Sequence, residues 1–251
     1  MYECVSECCG VGSEDEKSMI HNQDRSGWFG ASDTARIMGN WNTQTFARWW
    51  GEKLGMFSND FKTPAMMAGT AYEHRILDAI GIRQRDRQIR RWILRLRVNL
   101  DGETPDMVHE VKTYSAEHFR VSTAYWMQCQ VEMYASGKKC RIVAYQLTDE
   151  DYKNYFNPID ENRLSYWPIE YNSDWVEGEY LPRLRYLARC LKRRETPDGE
   201  VFRKNNCCSK NNDHANCGND IKPLSISNKI NHYLSPPYSH ALRKGLNLEM
   251  D

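Results

Sequence analysis

The sequence predicts an α/β (α+β) fold in which a central sheet is flanked by helices. Three observations predict it. The chain has 251 residues, 40% hydrophobic and 12% aromatic, enough to bury a sizeable core. Apolar residues recur at helical spacing over Ala65 to Ile80 and over Ser122 to Ala135. Met107 to Thr113 and Lys139 to Leu147 alternate as strands do. The expected organisation is a polar N-terminal extension over 1–20, one folded domain over 21–194 and a polar, flexible C-terminal tail over 195–251.

Composition narrows the class. Net charge is zero, so only local clustering can speak for or against nucleic acid. No run approaches the roughly 18 apolar residues of a membrane span, and the acidic, polar start lacks a signal-peptide core, so an intracellular protein with no membrane partner is expected. Nine cysteines, an odd number without a secretory signal, point to reduced thiols.

Taken in order, Arg25 to Gly39 holds a short helix that Ser32 or Asp33 can cap and Gly39 can stop, and the Gly27 to Gly30 turn can bring Arg25 close to Ser32. A helix N-terminus beside an arginine suits a terminal phosphate, although a capped surface helix with a solvated arginine fits equally. Gln44 to Leu54 reads as a second helix with core residues Phe46, Trp49, Trp50 and Leu54. Along Ala65 to Ile80, Met66, Gly69, Ile76, Leu77 and Ile80 form the apolar stripe, and Glu73 stands inside it. A carboxylate facing inward needs a metal, a cation or a polar cleft.

Arg83 to Arg97 carries seven arginines and one acid, Asp86, and reads as strand and turn. Its guanidinium groups can track a phosphate backbone or simply form a solvated strand face. Next come Asp101 and, nine residues later, Glu110, with turn formers Gly102, Thr104 and Pro105 between them. Two adjacent strands can bring both carboxylates to one end of a sheet. Within Met107 to Thr113, Glu110 and Lys112 share one face while Val111 points into the core. Paired carboxylates bind a hard cation, and a neighbouring ammonium stabilises charge on an attacked phosphate, so metal-assisted phosphodiester hydrolysis is the chemistry expected. Acid-x-Lys alone is weak evidence, because it recurs at Asp15, Asp60, Asp151 and Asp220, and a surface hairpin with salt bridges would look similar.

On the helix over Ser122 to Ala135, Ala124, Met127, Val131 and Ala135 form one face, with Gln128 between them able to reach Lys112, a water or backbone groups. Arg163 to Tyr171 is a weaker strand, and Asp174 to Arg194 a long amphipathic helix interrupted at Pro182. In the tail, Cys207, Cys208, His214 and Cys217 do not have a standard zinc spacing.

This order of helix with Glu73, strands with Asp101, then Glu110-Val111-Lys112, helix with Gln128 and a further strand resembles the αβββαβ core of the PD-(D/E)XK nuclease superfamily, the restriction-endonuclease-like fold with a mixed sheet. Within it, the chain resembles the phage lambda exonuclease and YqaJ-type viral recombinase family. Arg25 with Gly30-Ala31-Ser32, Met67-Ala68-Gly69-x3-Glu73, Leu100-Asp101-Gly102, Glu110-Val111-Lys112 and Ala124-Tyr125-x2-Gln128-x-Gln130 match its successive motifs. The likeness covers about residues 21–150.

That resemblance implies a Mg²⁺- or Mn²⁺-dependent deoxyribonuclease. It would hydrolyse linear double-stranded DNA from 5′ ends and leave 3′ single strands for phage-type homologous recombination. Asp101, Glu110 and the Val111 carbonyl would hold the metal, with Glu73 completing the site. Lys112 would position and help deprotonate the water, Gln128 would orient Lys112 or that water, and Arg25 with Ser32 would receive the 5′-phosphate. It also implies a single-strand annealing protein as partner, a ring-shaped homotrimer, and the cytoplasm of a bacterial or phage-infected cell.

Two departures qualify it. Leu100 stands where the family often has Pro, while a Pro-Asp pair occurs at Pro105-Asp106; Asp106, four residues before Glu110, is expected in the hairpin turn. Cys4, Cys8, Cys9, Cys207, Cys208 and Cys217 bring to mind the iron-sulfur nucleases associated with CRISPR, without their spacing. An iron-sulfur nuclease or endonuclease, and a non-catalytic DNA-end-binding protein, are therefore the alternatives.

Overall fold

A computed structural model describes residues 24–56 and 62–202. The expectations for the N-terminal extension, for Cys4, Cys8 and Cys9, and for Cys207, Cys208, His214 and Cys217 lie outside the described residues. Among the described residues no helix is long and apolar enough to cross a membrane.

Helix α1 (Thr34–Met38) follows a 3-10 turn at Ala31–Asp33, and α2 (Gln44–Lys53) starts where the Thr43 side chain accepts the Phe46 N–H. Helix α3 (Pro64–Ala79) is capped in the same way by Thr63, with Pro64 in the first turn where its missing N–H costs nothing. Strands β1 (Gln84–Arg91), β2 (Leu96–Glu103) and β3 (Met107–Tyr114) follow as an antiparallel meander. Helix α4 (Thr123–Ser136) runs from a Ser122 cap to Gly137, whose φ of 73° lets its N–H return to the Met133 carbonyl. It crosses over to β4 (Lys139–Gln146), which pairs parallel to β3 and antiparallel to β5 (Leu164–Ile169). The sheet order is β1-β2-β3-β4-β5, a mixed five-stranded sheet with helices on both faces. The αβββαβ order expected from the sequence is the order found.

One face packs Leu96, Val98, Leu100, Val108 and Ile142 against α2, α4 and the aromatic cluster of Phe29, Phe46, Trp49 and Trp50. The other packs Val111, Val143 and Tyr145 against Ala68, Tyr72, Ile76 and Leu77 of α3. A short helix α5 (Asp149–Lys153), not expected from the sequence, closes that side. The stripes were partly misplaced: Met66 is 54% exposed, and Ala124 is also exposed. Ala68 and Tyr72 take the buried positions on α3, and Trp126 and Cys129 those on α4, because the sheet meets each helix on a slightly rotated face.

The C-terminal helix differs from expectation in its break. A turn at Ser173–Trp175 (α6) continues through a π-helical turn at Val176–Tyr180 into α7 (Leu181–Arg193), so Pro182 occupies the first turn of α7 instead of interrupting it. Packing also continues past residue 194, the expected end of the folded domain. The Trp50 indole donates to the Glu195 carbonyl, the Tyr186 hydroxyl accepts the Asp198 N–H, and Phe202 meets Trp41 edge-on.

One irregularity positions the site. Strands β2 and β3 pair Gly102 with His109 and Glu103 with Val108, and the same register sets Asp101 opposite Glu110. Leu100 packs into the first core, whereas a Cβ on Gly102 would meet Leu77 at 2.6 Å and Ile82 at 3.0 Å in the second. Strict alternation would put residues 100 and 102 on one face, so the pleat slips at Asp101. Across from it in β1, Asp86 has φ 54°, a left-handed conformation that Asp tolerates better than most residues.

Candidate active site

Where the pleat slips, the Asp101 carboxylate takes the place of a strand partner: its Oδ2 accepts the Val111 N–H at 2.8 Å. In an extended strand a residue's N–H and C=O point the same way, so the Val111 carbonyl also faces this gap. Glu110 and Lys112 project from the opposite face of β3 to Val111, as expected. The Lys112 Nζ donates to Glu110 Oε1 at 2.5 Å and to Gln128 Oε1 at 3.3 Å, and it lies 5.1 Å from the centre of the Tyr125 ring. Gln128 Nε2 donates to Glu110 Oε1 at 2.5 Å. The expected approach of Gln128 to Lys112 is therefore present. Burial works against the Lys112 charge, but Glu110 and Asp101 outweigh it and hold the ammonium above the usual lysine range.

Glu132 belongs to the same network and was not anticipated. It is fully buried, one helical turn beyond Gln128, and its Oε1 accepts from Gln128 Nε2 at 2.9 Å. Glu110 and Glu132 both accept from the same nitrogen, so the Gln128 amide can turn only its oxygen toward Lys112. The i,i+4 spacing of Gln128 and Glu132 was the available signal. Gln130, matched to the family motif, does something else: its amide bonds the Glu170 carbonyl and the Asn172 N–H, tying α4 to the segment after β5.

Three carboxylates perturb one another here. Burial, then the Glu110 charge, raises the Glu73 carboxyl to about 7. Burial, then Glu110 and Glu73, raises Asp101 well above the usual carboxylate range. Glu110 Oε2 is buried and accepts no hydrogen bond from the described residues. A buried carboxylate oxygen without a donor, beside two carboxyls whose ionisation burial opposes, is a donor set suited to a hard dication. The tightest groups of donor atoms among the described residues lie to either side, at Glu73 with His74 and Asp86 and at Cys129 with Glu132 and Cys140, each within 4.8 Å. Asp101 and Glu110 belong to neither: Val111 engages the first, and Lys112 and Gln128 the second.

A cleft of about 330 Å³ joins the two halves of the expected site. Arg25 and Ser32 line it together with Glu73, Asp101 and Gln128, while Glu110, Val111 and Lys112 do not line it. Lys112 and Glu110 meet the cleft through Gln128.

The residues that shape its far wall correct one expectation. Asp33 is not a solvent-facing cap. Its carboxylate is buried and accepts the Gly30 N–H at 2.8 Å, the Trp49 indole N–H at 2.9 Å and the Lys53 ammonium at 2.6 Å. Burial pushes the Asp33 carboxyl up, but Lys53 and these hydrogen bonds outweigh it and hold it below the ordinary value. The pair locks the turn bearing Ser32 onto α2. Trp28, Asp86 and Arg97 are further cleft residues to which the sequence reading gave no site role.

Comparison with solved structures bears on the fold. The alkaline exonuclease LHK-Exo from Laribacter hongkongensis superposes with a TM-score of 0.51 at 18% identity, covering 68% of this chain and 90% of that one. The chain shares the fold of that exonuclease. A putative exonuclease from Eubacterium rectale aligns over 87% of this chain and 98% of its own at 12% identity, with a TM-score of 0.45. No family model matches the sequence, and no curated protein matches it.

The raised carboxyls set a pH dependence. Glu73 titrates near 7 in the folded chain against an ordinary 4.5, so between those values the folded state binds more protons than the unfolded one. Its contribution to stability is complete at low pH and is lost as pH rises through about 7. His109, held near 4 by burial and Arg141, acts with the opposite sign but only up to its unfolded value of 6.5. In EDTA the melting temperature is therefore expected to fall as pH rises from 6.5 through about 7 and to level off above that; calorimetry at each pH checks it.

Proposed function

We propose that the chain is a metal-dependent nuclease, and specifically a 5′-to-3′ exonuclease of linear duplex DNA in the manner of the lambda exonuclease and YqaJ group. The observation that carries the proposal is the joint constellation: Lys112 held between Glu110 and Gln128, Asp101 folded back on Val111, and a cleft in which Arg25 and Ser32 share walls with Glu73 and Asp101. The likeness in fold to an alkaline exonuclease agrees with it.

In this proposal Asp101, Glu110 and the Val111 carbonyl hold Mg²⁺ or Mn²⁺, with Glu73 beside them. When bound, the ion stabilises negative charge on the attacked phosphate and the leaving oxygen. Arg25 and Ser32 take the terminal phosphate, which sets which ester lies at the carboxylates. Lys112, as an ammonium, would donate to the attacking water and to a phosphate oxygen; the proton that the water loses would pass to solvent, and Lys112 could accept it only after losing its own. Gln128, oriented by Glu132, keeps Lys112 aimed. A homotrimeric ring, an annealing partner, a role in recombination and a cytoplasmic site of action complete this reading by resemblance.

The test is release of nucleotide from linear duplex DNA labelled separately at each end, with and without 5′-phosphate, in Mg²⁺, Mn²⁺ or EDTA. Metal-dependent loss beginning at 5′ ends, with closed circles untouched, supports the proposal. Cutting of circles would make the protein an endonuclease, and end binding without cleavage in every metal would make it a binder.

A further inference from the structure

The arginine-rich stretch ends in a hydrophobic tip. Strands β1 and β2 are joined by a 3-10 turn at Trp92–Leu94, in which Leu94 is buried while Trp92 is 64% and Ile93 94% exposed. Trp92 packs against Trp28, ring centroids 4.8 Å apart at 68°. Trp28 in turn lines the cleft with Arg25, Glu73 and Asp101. The exposed aromatic surface is thus continuous with the candidate active site.

The charged side chains set against its two rings are cationic. The Arg90 guanidinium lies 6.0 Å from the centroids of both rings, and Arg95 lies 6.0 Å from that of Trp28. Arg85 and Arg87, nearer the base of the hairpin, are paired with Asp78 and Glu103. Among the described residues Arg90 and Arg95 have no carboxylate partner, so the cationic run divides into a paired base and an unpaired tip. Arg97, which donates to the Asp24 carbonyl at 2.6 Å, carries positive charge on into the cleft wall.

We propose that Trp92, backed by Trp28, is a stacking platform for an unpaired base of a DNA strand whose phosphates pass Arg90, Arg95 and Arg97 on the way into the cleft. The proposal rests on the nuclease reading and adds to it the form of the substrate at the cleft mouth. Aromatic rings flanked by guanidinium groups suit single strands because an unpaired base exposes a π face, whereas the backbone supplies phosphates at regular spacing. A base stacked this way contributes affinity without sequence preference.

Binding in EDTA separates the platform from catalysis. A 5′-phosphorylated oligothymidylate of about 12 nucleotides and an abasic strand of the same length are titrated into the full chain, with anisotropy and tryptophan fluorescence read together. The oligothymidylate is expected to bind about 10-fold more tightly and to quench tryptophan emission. Trp92→Ala is expected to bring it down to the abasic affinity, and Trp92→Phe to restore most of the difference. Equal binding of both strands by the parent, or a base preference that survives Trp92→Ala, would overturn the platform and leave the nuclease reading standing. Failure to bind either strand would also overturn the platform, whereas the nuclease reading falls only if linear duplex DNA is not cleaved in Mg²⁺ or Mn²⁺. An oligomer that Trp92→Ala dissociates with the base preference intact would assign the tip to contacts between copies of the chain.

Discussion

Lys112→Ala is expected to lower the single-turnover rate of phosphodiester cleavage by about 10²- to 10⁴-fold while leaving DNA-end affinity within a few-fold of the parent. Among the described residues the ammonium is the one cation paired with Glu110, and the Gln128 oxygen is turned toward it by Glu132. In the proposed mechanism its removal would leave the water and the attacked phosphate without their donor. The cleft wall proposed to take the phosphate, by contrast, is built from Arg25, Ser32 and the buried Asp33 and Lys53, and no hydrogen bond or ion pair joins any of them to Lys112 among the described residues. A rate loss accompanied by an equal loss of affinity would place Lys112 in binding, and a rate within about 5-fold of the parent would remove it from the mechanism.

The largest effect on stability is expected at Asp33. Asp33→Ala leaves Lys53, 2% exposed, as an unpaired buried charge and deprives the Gly30 N–H and the Trp49 indole of their acceptor. Breaking a buried pair from one side costs about 3–5 kcal/mol. Urea unfolding should show that loss, and the double variant Asp33→Ala, Lys53→Met should recover part of it because no charge is then stranded. A cost below about 1 kcal/mol would mean that the pair relaxes into solvent and does not fix the Ser32 turn.

Much of the frame could be read from local pattern, since each element carries its own punctuation. Thr43, Thr63 and Ser122 cap their helices with their own side chains, and Gly137 ends α4. The two-residue period of β3 put Glu110 and Lys112 on one face and Val111 in the core, and Asp106 falls in the turn, its Oδ1 accepting from the Thr104 hydroxyl. Gln128 could be aimed at Lys112 because it interrupts an apolar stripe.

What escaped depends on tertiary context. Glu132 reads as an ordinary helix acid until Cys140 of β4, whose sulfur lies 3.7 Å from its Oε2, and the sheet close over it. The Asp33 and Lys53 partnership spans 20 residues of chain, and neither residue has a local signature of burial. The slip of the pleat at Asp101 sets Gly102 against Leu77 and Ile82, where a Cβ would clash, and that need for a glycine shows only once α3 is packed on the sheet. Likewise the arginines of β1 look alike in sequence, yet some face carboxylates and others face rings.

The central claim is that the carboxylates around the slipped pleat hold a divalent ion. Titration of Mn²⁺ into the chain at pH 7.5, followed by calorimetry, tests it most directly, with Asp101→Asn as the comparison. Saturable binding by the parent, accompanied by proton release and lost in Asp101→Asn, is the result predicted. Absence of binding by the parent, or the same stoichiometry and affinity in Asp101→Asn, would contradict it.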